Sequence, residues 1–132
     1  TYGHRSMGDI DFFWVRGAES IDRNLRIIGE SWWPEEEIPY PEGPYALNLY
    51  CETKPQIVLT HDCPTSILHH VLRGPYKGRH SRTNELLQQM FDMHQPALWF
   101  FGHHHRSVTA SVHGTTFRCL DELETYDLLA DA

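Results

Sequence analysis

Two short apolar runs, each opening just after a proline and ending in histidine, constrain this chain more than anything else in it. Gln56-Ile57-Val58-Leu59-Thr60 follows Pro55 and leads into His61-Asp62-Cys63-Pro64. Ala97-Leu98-Trp99-Phe100-Phe101 follows Pro96 and turns at Gly102 into His103-His104-His105. Apolar runs this short, bounded by turn formers and rich in β-branched and aromatic residues, predict buried strands rather than helices. Between them, Leu86, Leu87, Met90 and Phe91 fall at helical spacing within Thr83 to His94, with Ser81 or Thr83 as N-cap.

Around this centre the pattern is thinner. Asp11 to Val15 predicts a strand that stops at Gly17, and Ala18 to Trp33 shows no clean periodicity. Pro34 followed by Glu35, Glu36 and Glu37 has the form of a helix start, with carboxylates where the helix dipole favours them. Pro39, Pro41 and Pro44 interrupt it, and a helix resumes over Pro44 to Glu52. Pro64 to Leu72 suits another helix, Arg73 to Arg82 a basic loop, and Val108–Val112 with Thr115–Leu120 a hairpin across His113-Gly114. The order is strand, helices, strand, helix, strand, hairpin, which is an α/β (α+β) mixture. With 132 residues, there is chain enough for one core, so residues 1–132 are expected to form a single domain.

Composition narrows the function classes. A formal charge of −7 opposes general nucleic-acid binding, which needs a basic footprint, and leaves nucleic acid only as a substrate. The longest unbroken apolar run, Ala97 to Phe101, is far too short to cross a bilayer, and no export signal is expected. Three cysteines without a CxxC spacing fit free thiols in a cytoplasmic protein. The chain opens on Thr1, which is compatible with further sequence upstream.

Ten histidines are the unusual count. Ligands gather at the carboxyl ends of strands in open α/β sheets. If the two histidine-terminated strands are neighbours, His61 lies close to the 103–105 triplet. In extended backbone His103 and His105 point one way and His104 the other. Three neutral imidazoles from two loops suit a metal ion, and equally a mononuclear zinc site with an open position. Asp62 is nearby, but no carboxylate pair is obvious. Arg73, Lys77, Arg79, His80 and Arg82 form the one basic patch, either a solvated loop or a contact for phosphate through Arg79 and Arg82. Trp14, Trp32, Trp33 and Trp99 read as packing residues rather than a base-stacking platform, and Cys63 has no base in view to make it a nucleophile.

Thr60-His61-Asp62-Cys63-Pro64 together with Gly102-His103-His104-His105 resembles the last two motifs of the calcineurin-like metallophosphoesterases, a histidine after a buried strand and then Gly-His-x-His. Val15 to Arg23, Ser31 to Glu36, Thr83 to Leu87, Pro96 to Trp99 and Thr116 to Leu120 are similar to that family too, especially to its bacterial and phage members. The resemblance implies a four-layer αββα sandwich with two metal ions at one edge. His61 and His103 would bind one ion and His105 the other, while His104 fills the variable position. Mn, Fe or Zn would suit a mixed imidazole and carboxylate site better than Mg. The implied chemistry is hydrolysis of a phosphate ester by a water activated between ions about 3.5–4 Å apart.

The family's first three motifs, Asp-x-His, Gly-Asp-x-x-Asp and Gly-Asn-His-Asp/Glu, are absent. Gly8-Asp9-Ile10-Asp11 has the wrong spacing, and His4 has no Asp two positions before it. The expectation is therefore the C-terminal half of a phosphoesterase, completed by further sequence or by a separate polypeptide. The alternative is a degenerate binding module (inhibitor, decoy or assembly component) without turnover. A self-sufficient three-histidine enzyme ranks last, because no general acid or base is identifiable.

Overall fold

In the computed structural model, residues 2–17, 38–72 and 81–128 are described. The strand β1 (Tyr2–Met7) forms an antiparallel hairpin with β2 (Ile10–Val15). Its two-residue turn begins at Gly8, whose φ of +63° suits glycine. The Gly8-Asp9 look-alike of a metal motif is thus a hairpin turn. α1 (Gly43–Thr53) carries Pro44 in its first turn and ends at Lys54 in left-handed backbone. Then follow β3 (Ile57–Thr60), a 3-10 turn at Thr65–Ile67 running into α2 (Leu68–Leu72), α3 (Arg82–Met93) and β4 (Leu98–Phe101). A closing hairpin pairs β5 (Val108–Val112) with β6 (Thr115–Cys119). Its turn residues His113 and Gly114 have φ of +49° and +85°, both positive as a type I′ turn requires.

The six strands form one sheet in the order β1-β2-β3-β4-β6-β5. β2, β3, β4 and β6 run parallel, with an antiparallel strand at each edge. Register places Phe13, Val58, Trp99 and Phe117 in a row across the four parallel strands, each at most 1% exposed. Burying an apolar side chain of this size contributes about 1.5–3 kcal/mol of transfer free energy. The helices pack on that face through Ala46 and Tyr50 of α1, Leu68 and Val71 of α2, and Leu87, Met90 and Phe91 of α3. One residue further along the strands, the row is Trp14, Leu59, Phe100 and Arg118, on the opposite face. There Trp14 and Leu59 are each 39% exposed, and Phe100 packs against Tyr126 of the C-terminal segment. Trp14 lies over Gly3, where a Cβ would stand 2.3 Å from the indole ring.

The fold is therefore mixed α/β. Every strand predicted from the sequence is present, but β1 was not foreseen. The helix start at Pro34 and the segments from Ala18 to Glu37 and from Arg73 to His80 lie outside the described residues. Among the described residues, no helix is long and apolar enough to cross a membrane.

Candidate metal centre

Because β3 and β4 are adjacent and parallel, their carboxyl ends deliver both histidine loops to one edge of the sheet. The ladder continues past the strands, with the Gly102 N–H donating to the His61 carbonyl at 3.0 Å. The chain then turns sharply. The His104 N–H donates back to the Gly102 carbonyl at 2.8 Å, and His103 and His105 take φ of +68° and +54°. The triplet is thus not extended as the alternation argument assumed. Left-handed backbone at a residue with a Cβ costs on the order of 1 kcal/mol or more, and it persists only where neighbouring contacts over-determine it.

The side chains sort into an outer and an inner pair. His61 Nε2 and His103 Nδ1 stand 3.0 Å apart, with their rings roughly edge to face. The next residue of each loop turns inward, and His104 Nε2 meets Asp62 Oδ1 at 2.8 Å. That inner pair is buried, at 7% and 5% side-chain exposure. The same Asp62 oxygen also accepts from the Cys63 N–H at 2.8 Å. Thr60 supports the loop from behind, its hydroxyl accepting from the Trp99 indole N–H at 2.8 Å and donating to the Asp62 carbonyl. Asn84, in the first turn of α3, donates to the Cys63 carbonyl at 2.8 Å.

Electrostatics favour neutral imidazoles in the outer pair. Burial pulls both His61 and His103 below the usual imidazole value, against the opposing pull of Asp62, and the neighbouring imidazoles deepen the shift. Burial alone would raise Asp62. The hydrogen bond and charge of His104, the charge of His103 and the Cys63 N–H outweigh it, and the carboxyl lies below its ordinary value. Burial pushes the Cys63 thiol well up, so it stays protonated.

This donor set fits a divalent ion on its imidazole side. Ligating histidines must be neutral, and a 3.0 Å separation is within the span of two nitrogens each bound at roughly 2.0–2.1 Å to one ion. His105 stands apart, two-thirds exposed, with Nδ1 3.4 Å from Glu122 Oε1. Among the described residues, the one group of three donors within 4.8 Å of each other is Asp62, Cys63 and His104. Within that group the donors already engage one another, Asp62 Oδ1 accepting from both His104 Nε2 and the Cys63 N–H.

His61, His103 and His105 all line one cleft of about 420 Å³, together with Asp121 and Glu122 and an apolar wall of Leu59, Phe100 and Leu120. Sequence reasoning missed the two carboxylates. Their signal was available: they directly follow β6, which runs parallel to β4, so the strand-end rule applies to them as well. It also gave His104 no role, whereas the structure pairs it with Asp62. Arg82 lines a different cleft, about 310 Å³, beside Ile38 and Leu47, and its Nε donates to the Ile38 carbonyl at 2.8 Å. It is not part of the histidine cleft's lining, and Arg79 lies outside the described residues. The chain matches no protein-family model and no curated protein sequence.

Proposed function

We propose that this chain supplies the imidazole side of a divalent-metal phosphoesterase centre, in which His61 and His103 hold one ion and His105 contributes to a second. The observation that carries this reading is the 3.0 Å approach of His61 Nε2 to His103 Nδ1 at the ends of two parallel strands. The resemblance of both loops to the last two calcineurin-like motifs supports it, as does a sheet with helices packed on one face, the form of one half of an αββα sandwich. Mn, Fe or Zn matches imidazole donors with carboxylates close by.

Bound ions of this kind polarise phosphoryl oxygens and lower the pKa of a coordinated water. His61 and His103 present neutral nitrogens to the cleft, and Leu59, Phe100 and Leu120 form a wall that limits water on one side. The bridging carboxylate and the general acid of the family have no counterpart in this sequence. They come from outside these 132 residues, from more of the same chain or from a second polypeptide. A phosphate ester is the substrate, with a nucleic acid entering only in that role. The three cysteines are free thiols, in keeping with the cytoplasm.

Paramagnetic broadening of the phosphorus resonance of inorganic phosphate by Mn²⁺ tests this reading. Saturable broadening that depends on the protein is expected, and it is lost when His61 and His103 are both changed to Ala. Mn²⁺ bound through those histidines with no phosphate at the ion would overturn the esterase reading in favour of a binding module without turnover.

A further inference from the structure

We infer that Asp62 and His104 are a positioning pair that sets the spacing of His61 and His103. This inference rests on the metal-centre reading above and deepens it. Each loop contributes two consecutive residues, one facing the cleft and one facing inward. The inward residues bond to each other at 2.8 Å, and the outward ones stand 3.0 Å apart. Moving either inward side chain therefore moves its outward neighbour.

The β3 loop is fixed on several sides: Thr60 links Trp99 to the Asp62 carbonyl, and Asn84 holds Cys63. The triplet is held less completely. Its backbone is tied through Gly102, and beyond it Arg106 Nη1 donates to the Val71 carbonyl at 3.0 Å. Between those ties His103 and His105 sit in left-handed backbone. Among the described residues, the His104–Asp62 bond is the buried side-chain contact that anchors the triplet to the rigid loop. A carboxylate enclosed in this way needs its partners, because an unpaired buried charge is strongly destabilising. Partners outside the ligand shell that orient ligands change metal affinity by roughly 10–100-fold when removed.

Titration of the full chain with Co²⁺, followed by its visible absorption and set beside the melting temperature, tests the pair. His104→Leu is expected to weaken Co²⁺ binding roughly 10–100-fold and to alter the absorption bands. His104→Gln, whose amide N–H still reaches Asp62, is expected to recover most of the affinity. If His104→Leu does not fold, the isosteric Asp62→Asn takes its place, with several-fold weaker binding expected. A lower melting temperature with wild-type Co²⁺ affinity and spectrum, in whichever variant folds, overturns the positioning role and leaves the metal centre standing. A wild-type chain that binds no Co²⁺ through His61 and His103 overturns both.

Discussion

His105 shows at a single residue how a site departs from what the backbone prefers. Its φ of +54° lies in the region that glycine adopts at no steric cost, and its imidazole is two-thirds exposed, so packing gives little reason for a histidine there. Under the metal-centre reading proposed above, a ligand held at a local cost accounts for the choice. His105→Gly is therefore expected to raise stability by about 1 kcal/mol in urea denaturation, because the strain goes and few contacts are lost. An unchanged or lower stability would mean that the turn around His105 is held by more than its backbone geometry. The triplet also marks a limit of sequence reading. Alternation placed His104 opposite its neighbours, and it does turn inward, but through a tight turn that no spacing argument contains.

At the scale of elements, α3 holds the site through its first turn. Ser81 caps the helix, its hydroxyl accepting from the Asn84 N–H at 3.1 Å, while the Asn84 side-chain Oδ1 accepts from the Ser81 N–H at 3.2 Å. The Asn84 amide then reaches the Cys63 carbonyl, so the cap of one helix also braces the loop that carries His61. Ser81→Ala is expected to cost about 1 kcal/mol of stability in urea denaturation, with little change in metal affinity, because Asn84 keeps its bond to Cys63. A loss of metal affinity as large as that from changing His61 would show that the cap acts on the site itself. This helix was legible because Leu86, Leu87, Met90 and Phe91 repeat at 3.6-residue spacing and Ser81 precedes them. β1 was not legible. Tyr2–Met7 is an edge strand, half-buried at one end and exposed at the other, so no apolar alternation marks it. What places it is its pairing with β2, a tertiary fact.

For the whole molecule, strand order is what makes a site. Because β3, β4 and β6 are consecutive and parallel, three carboxyl ends meet at one edge and bring residues 61, 103–105 and 121–122 to a single cleft. Two of those three contributions could be read from strands that end in histidine. The third needed the position of β6 beside β4, which follows a hairpin and leaves no trace in local spacing. Arg82 shows the converse: closeness in sequence to a basic loop did not bring it to the histidines, because its helix points it at Ile38. The opposite sheet face keeps Trp14 and Leu59 partly exposed in the middle of the sheet, away from the core that the helices cover.

Calorimetric titration with Zn²⁺ of the wild-type chain and of the His61→Ala and His103→Ala variants tests the shared ion most directly. If the two imidazoles hold one ion, the wild type binds Zn²⁺ and either substitution weakens binding by roughly 100-fold, with loss of the neutral nitrogen that ligation requires. Equal Zn²⁺ affinity in all three proteins, or no binding by the wild type, would contradict it and reduce the His61–His103 contact to a hydrogen bond between two loops.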